Sequence, residues 1–535
     1  MRKDDFKKLC DIFSAVKSGE EITLEKDCVY DVWQDNCLRL TGYHCSNTAT
    51  YAENPLGERF SAVHIKNLNG VTVNGNGATI LLHGVFTPIV ASGCENLVIK
   101  NLNIDYARPT MSETLVKSFD GEKYTLEFSP ETLFELDGDN LYFVGEKGFS
   151  GEPYYKTPYK SATVLSMQLI GGKLTMLKGS AGDCRPSIPT LTEIERAGER
   201  TIRAKLKNPE DSLTVGAVIQ TRSIIRDQLG GLFERCDGVT VKDCNFYAMH
   251  GFGVMFQFVK NPSLIGVKCM PKKGRTSVSN ADFVQFMNCG GKVTVKNCSF
   301  EGAHDDHINV HGTYLKALRC ENGVIARFMH SQSRGFQSFA VGDTVACVDE
   351  VSLERYAYLT VKSFAKLNDK DILLEFTCGA EKIRENTVFE NISWSPEVLI
   401  ENNYFGYNAA RGVLCSTPQK AVIKNNVFRG NCSSALSCDG EVGDWYESGV
   451  CSDIEFSGNL IENGLYGAWG TGAEAINLNP GADEKRISQT QKFTFKDNIF
   501  KNCGKEYSCR IGGVKEFVNE NNNFDAPVKY ITDKE

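Results

Sequence analysis

Val398-Leu-Ile-Glu-Asn-Asn-Tyr-Phe405 is answered 23 positions later by Ala421-Val-Ile-Lys-Asn-Asn-Val-Phe428. The shared pattern is apolar-x-apolar-x-Asn/Asp-x-x-apolar. It recurs as Leu97-Val-Ile-Lys-Asn-Leu-Asn-Ile104, Val239-Thr-Val-Lys-Asp-Cys-Asn-Phe246, Val293-Thr-Val-Lys-Asn-Cys-Ser-Phe300 and Phe493-Thr-Phe-Lys-Asp-Asn-Ile-Phe500. Ile80 and Ile104 are 24 positions apart. Short alternating strands repeated every 20–25 residues or so mark a solenoid. One coil cannot bury its own apolar face, so successive coils stack about 4.8 Å apart and share one axial core. The Asn or Asp after each strand suits a turn, because it tolerates left-handed backbone. Cys236, Cys244, Cys269, Cys289 and Cys298 then read as core rungs, a free cysteine packing as a small hydrophobe. A leucine-rich repeat has a similar period, but its LxxLxLxxN pattern is missing. The expectation is an all-β parallel β-helix.

Two stretches break the rhythm, residues 110–222 and 313–393. They alternate apolar and polar residues without the coil signature, as in Glu122-Lys-Tyr-Thr-Leu-Glu-Phe128, Tyr358-Leu-Thr-Val-Lys-Ser-Phe364 and Asp371-Ile-Leu-Leu-Glu-Phe376. Each reads as a small inserted β-barrel or sandwich. The coils would then occupy residues 21–109, 223–312 and 394–535. Residues 1–20 carry Phe6, Leu9, Phe13 and Val16 at amphipathic helical spacing and would cap the open first coil.

Composition narrows the partners. The 535 residues carry a formal net charge of −8, without the basic face that nucleic acid needs. No segment approaches the roughly 18–20 apolar residues of a membrane span, and the N-terminus lacks the continuous apolar core of a signal peptide. A cytoplasmic protein is therefore expected, or a secreted one if a signal has been removed. The 20 cysteines form no CxxC pairs at zinc-like spacing, which suits core thiols in a reducing compartment. No cofactor is expected. Exposed strands of the inserts are compatible with a homodimer.

The densest polar cluster is Gly302-Ala-His-Asp-Asp-His-Ile-Asn-Val-His-Gly312, and Asp282 precedes Asp305 by 23 positions, one coil. That spacing would stack Asp282 against Asp305 or Asp306. Three neighbouring carboxylates cannot all ionise easily, so one pKa should rise and leave a protonated acid beside ionised bases. Turn-capping is the alternative for a lone Asp-Asp pair, but the coil-spaced third aspartate and the nearby histidines outweigh it. A metal site is a further reading, because His304, Asp305, Asp306, His307 and His311 include ligand types. Strand residues alternate faces, so only some of these can converge, and no metal is expected.

Ser437-Cys-Asp-Gly-Glu-Val-Gly-Asp-Trp-Tyr-Glu-Ser-Gly449 sets Asp439, Glu441, Asp444 and Glu447 beside Trp445. Such a group suits a sugar, carboxylates binding hydroxyls while the ring receives the C–H face. Met329-His-Ser-Gln-Ser-Arg-Gly-Phe336 could bring His330 and Arg334 over the site from the second insert. Asp105 closes an early coil and is either a polar contact or a turn former. Arg411 could ion-pair with the acidic cluster.

Together Asn280-Ala-Asp282, Asp305-Asp306, Asn309-Val-His-Gly-Thr-Tyr-Leu-Lys316, Arg411-Gly, Ser416-Thr-Pro418 and Gly443-Asp-Trp-Tyr-Glu-Ser-Gly449 resemble glycoside hydrolase family 110, the α-1,3-galactosidases. The likeness runs in order from roughly residue 20 to 530. It implies a right-handed β-helix with two inserted β-barrels and metal-free inversion at a terminal α-linked galactose of an oligosaccharide, blood-group-B-like or linear. The carboxylates also look like those of polygalacturonases. By that likeness Asp305 is the general acid and Asp282 with Asp306 activates water, unless Asp306 is the acid. Asn280, Asn309, His311, Arg411, Glu447 and the loop residues above would bind substrate. Another β-helix polysaccharide hydrolase or lyase, and a non-catalytic glycan-binding solenoid, are the competing expectations.

Overall fold

The computed structural model describes residues 5–160, 165–176, 191–207, 213–222, 224–321, 323–465, 474–478, 490–503 and 506–531. Three parallel sheets run its length. The first holds eleven strands, from Glu21–Thr23 to Val514–Glu520, and the second ten, from Val29–Trp33 to Ile499–Lys501. The third starts at Val63–Lys66 and Ile89–Ser92 and passes through Val284–Met287, Ile308–Cys320 and Val413–Cys415 to Val528–Ile531. Each coil gives one strand to each sheet. The result is a parallel β-helix, with the right-handed crossover general for parallel strands.

The repeat is visible in the register. Ile80 pairs with Ile104 and Phe405 with Phe428, so the residues 24 and 23 positions apart are vertical neighbours. Inside, Phe233, Phe256 and Phe286 stack with ring centroids 4.8 and 5.0 Å apart. Phe300, Phe405 and Phe428 stack at 5.5 and 4.8 Å.

The corner after each first-sheet strand uses its Asn-Asn pair in two ways. The first residue takes a left-handed backbone: Asn101, Asp243, Asn297, Asn402, Asn425, Asp497 and Asn521 have φ between 51° and 58°, and Gly266 and Gly458 fill the same place. The second points inward. Asn403, Asn426, Asn459 and Asn498 form a buried ladder, in which the last three each accept at Oδ1 from the preceding rung's backbone N–H and amide at 2.9–3.1 Å. Cys244 and Cys298 hold this position in earlier coils, and Cys298 N–H donates into the ladder through Asn403 Oδ1 at 2.8 Å. Buried amides survive in such a core because every rung satisfies its neighbour.

The helix Asp5–Ala15 lays Leu9 and Phe13 on the open first coil and into the axial core. Between the coils, a seven-stranded antiparallel sheet spans residues 111–222 and shares a core with the three strands Leu133–Asp137, Asn140–Val144 and Lys156–Pro158. The later interruption closes on itself. Ile308–Cys320 pairs with Gly323–Arg327, then in turn come Asp371–Phe376, Arg355–Lys366, Thr344–Asp349 and Thr387–Asn391, which returns to Ile308–Cys320. That strand begins in the third sheet and ends in the barrel, so helix and barrel share a continuous backbone.

Candidate active site

Val284 pairs with Ile308 and Ile308 with Val413 across three coils of the third sheet. Two residues before these positions stand Asp282, Asp306 and Arg411, in one vertical column. The coil here is 24 residues long, so Asp306 rather than Asp305 is the rung-mate of Asp282. Asp305 lies one residue off the column. Its side chain is 29% exposed, against 1% for Asp306. One carboxylate oxygen from each aspartate lies within 4.8 Å of the others.

Two guanidinium groups offset this charge. Arg411 donates to Asp306 Oδ1 from both its backbone N–H and Nε at 2.8 Å, with Nη2 2.8 Å from Oδ2. Arg226 Nη2 donates to Asp305 Oδ2 at 3.2 Å. Among the described residues no guanidinium pairs with Asp282, whose carboxylate accepts a long hydrogen bond from Gln285 Nε2, 3.4 Å. Burial, reinforced by Asp305 and Asp306, raises the Asp282 pKa well above the ordinary carboxylate value. Burial also lifts Asp306, to about 6, with Arg411 opposing the shift. Both shifts favour the protonated form, more strongly at Asp282.

The three oxygens are spaced closely enough to hold a cation, but two neighbouring guanidinium ions compete with one. The histidines of the metal reading do not join them. His304 is buried and its Nε2 is 2.8 Å from Gln220 Oε1. His307 is buried against Phe283, Phe300 and Phe405 inside the coil. Burial lowers both imidazoles to about 3, so neither carries charge near neutrality.

Four segments meet above the column. Glu447, on the short strand Glu447–Ser448 that pairs with Gly312 and Thr313, accepts from Asn309 Nδ2 at 3.3 Å. His311 Nε2 stands 3.7 Å away. Asn47 Nδ2 donates to the same Glu447 oxygen at 2.7 Å, and Ser333 Oγ donates to Asn47 Oδ1 at 2.9 Å. The N-terminal loop, the barrel hairpin and the 440–449 strap are thus tied to one coil. Around them buried polar atoms lack hydrogen-bond partners in the protein: both side-chain heteroatoms of Asn280, Gln285 Oε1, Asn309 Oδ1 and His311 Nε2. Buried polar groups are normally paired, so such a concentration fits ligand hydroxyls or water.

Other expected site residues do different work. Both Asp105 oxygens are occupied, one by Arg275 Nη1 at 2.6 Å and the other by Lys272. Arg275 also grips Glu131, so Asp105 anchors the first insert instead of touching sugar. Glu441 accepts from the backbone N–H groups of Asp444, Trp445 and Tyr446 at 2.5–2.9 Å, shaping the strap as a turn staple. Asp439 is half-buried, its carbonyl accepting from Ser416 Oγ at 2.7 Å. Asp444 is exposed, and its carbonyl accepts from His330 Nδ1 at 2.8 Å. Trp445 is 40% exposed and packs 4.6 Å from the His330 ring, an aromatic wall built by two segments. Arg334 braces the hairpin through the Met329 carbonyl at 3.3 Å.

Arg226, Asn47 and Gln285 escaped the sequence reading. Gln285 alternates with the core residues Val284 and Phe286 and had a periodic signal pointing outward. Arg226 and Asn47 lie outside the repeats, where spacing carries no information.

A β-helix whose outer face carries this charge-balanced carboxylate cluster under an aromatic wall defines a glycoside hydrolase. The family model described as GLAA-B beta-barrel domain II matches residues 323–381, inside the closed barrel. The alpha-1,3-galactosidase A of Bacteroides fragilis (strain YCH46) is 31% identical over 494 residues, covering 91% of this chain and 78% of that protein. The alpha-1,3-galactosidase A of Bacteroides thetaiotaomicron is 30% identical over 477 residues, 88% of this chain and 79% of that one. Its alpha-1,3-galactosidase B is 27% identical over 436 residues, 80% and 68%. The chain belongs to glycoside hydrolase family 110.

Proposed function

We propose that this enzyme hydrolyses terminal α-1,3-linked galactose from oligosaccharides, linear or blood-group-B-like, by single displacement with inversion. The carrying observation is the set of three carboxylates within 4.8 Å, balanced by Arg411 and Arg226. Asp305, the most exposed of the three, meets the leaving oxygen. Asp282 and Asp306 hold the attacking water between them, Asp282 taking its proton and Asp306 accepting its second hydrogen bond.

The proton count closes over one turnover. Asp305 protonates the leaving oxygen as the glycosidic C–O bond breaks. Water oxygen bonds to the anomeric carbon and loses a proton to Asp282. The site is left with Asp282 protonated, which is the resting arrangement that burial favours. Transfer from Asp282 to Asp305, across the short gap between their oxygens, rearms the acid.

Asn280, Asn309 and His311 offer the galactose hydroxyls their unpartnered polar atoms, and Trp445 receives an apolar sugar face. The close carboxylates favour a second reading, because inverting pairs usually stand roughly 6.5–9.5 Å apart and retaining pairs about 5–5.5 Å. Against retention, Asp306 is clamped by Arg411 and Asp282 is buried, so neither carboxylate is free to approach the anomeric carbon. Proton NMR of the first galactose anomer released from a Galα1,3Gal oligosaccharide tests the proposal. Initial β-galactose supports inversion; initial α-galactose overturns it in favour of retention, and no galactose overturns the substrate assignment.

A further inference from the structure

Arg226 belongs to no coil repeat. It sits in the segment that returns from the first insert to the helix, between Val218–Arg222 and Leu229–Glu234. Its carbonyl accepts from Ala49 N–H at 2.8 Å, which fixes the backbone against the N-terminal loop. Its guanidinium lies 5.6 Å from the Phe252 ring centroid and reaches Asp305 at 3.2 Å. Phe252 occupies the rung before Asp282, since Val254 pairs with Val284. The cation is thus held at the end of the aspartate column by a ring below and a carboxylate beside it.

We infer that Arg226 is a positioning residue for the hydrolysis proposed above, holding Asp305 towards the cleft and keeping the aspartate cluster at a single proton. Three carboxylates with one proton carry two negative charges, which Arg411 and Arg226 neutralise. Glu447 is a fourth carboxylate acting on Asp282 and Arg411, and Arg222, behind the Asn280 carbonyl, is a third cation. Arg222 directs its Nη1 to that carbonyl and not to a carboxylate, so it is the less direct counter-charge. Without Arg226 the cluster would take a second proton near neutrality, so Asp282 would stay protonated beside a protonated Asp305 and could not take the proton from the water. The segment returning from the first insert thereby controls the protonation of a site that the coils build.

The test is the pH dependence of kcat/KM for galactose release by the full-length enzyme, its Arg226→Gln and Arg226→Lys variants, with thermal unfolding as the folding control. Loss of an adjacent cation raises carboxylate pKa values by about 1–3 units. The acid limb of Arg226→Gln should therefore move up by that amount, with activity recovering on the alkaline side. Arg226→Lys should keep its limb near that of the unmodified enzyme. A folded Arg226→Gln enzyme with reduced activity but an unmoved limb overturns the inference, leaving Arg226 a packing residue. If the glutamine variant does not fold, Arg226→Met, which preserves contact with the Phe252 ring, reads the same limb. Failure of the unmodified enzyme to release galactose counts against the proposed activity, not against Arg226.

Discussion

Acid should switch the enzyme off at an unusually high pH for a carboxylate base. Asp306 sits at about 6 because burial outweighs Arg411. Asp306 must be ionised to accept a hydrogen bond from the water that Asp282 deprotonates, so activity is lost as pH falls through that value. With a pKa near 6, about nine-tenths of Asp306 is ionised at about pH 7 and about one-tenth at about pH 5, a tenfold fall in kcat/KM. An ordinary aspartate would lose almost nothing over that interval. Arg411 sharpens the test, because it is the group pulling the value down. Arg411→Met removes the Nε bond and the Nη2 contact, and its limb should move up by about 1–3 units. At about pH 7 the variant would then be mostly unable to turn over, yet active in mild alkali. The assay is galactose release at substrate concentrations well below KM, where the profile reports the free enzyme. A rate flat from about pH 5 to 7, or an Arg411→Met limb in the original place, would refute a role for ionised Asp306 at the water.

Asp305→Asn should cut turnover of a galactosyl disaccharide by about a hundred- to ten-thousandfold while largely sparing an aryl galactoside whose leaving group needs no proton. Equal loss on both substrates would remove Asp305 from the acid role. Asn426→Leu should lower the thermal midpoint, because it strands the Asn403 backbone N–H and the Ile400 carbonyl, which Asn426 now pairs at 2.9 and 3.1 Å. Each stranded group costs about 1–3 kcal/mol, and an unchanged midpoint would show that the ladder contributes little.

The coil architecture was legible because it is written locally and repeatedly: each Asn-Asn pair states both a left-handed corner and an inward rung. The aspartates were legible because one coil's spacing brings them together. The single-residue difference between Asp305 and Asp306 as partner of Asp282 was not, since coils of 23 and 24 residues coexist. Glu441 and Asp105 show the limit of residue type as evidence. A carboxylate beside a tryptophan looks like a sugar ligand in sequence, whereas three backbone N–H groups claim it in space. Asp105 is claimed by Arg275 and Lys272, well over a hundred residues further along the chain. Arg226 and Asn47 meet their partners through the course of the first insert and the N-terminal loop, information that no local pattern holds.

The recurrent corner, one left-handed residue followed by one inward rung, makes each coil a self-similar unit with matching upper and lower surfaces. Such a chain can lengthen or shorten by duplication or loss of a whole coil, because the new neighbours meet the same ladder and the same phenylalanine stack. Loss of one residue within a strand is different: it reverses which side chains face the core. The coils carrying Asp282, Asp306 and Arg411, with the strap of Trp445 and Glu447 that follows them, are tied to chemistry by their order. Evolution has the coils beyond them as interchangeable parts, free to change in number while the aspartate column stays in register.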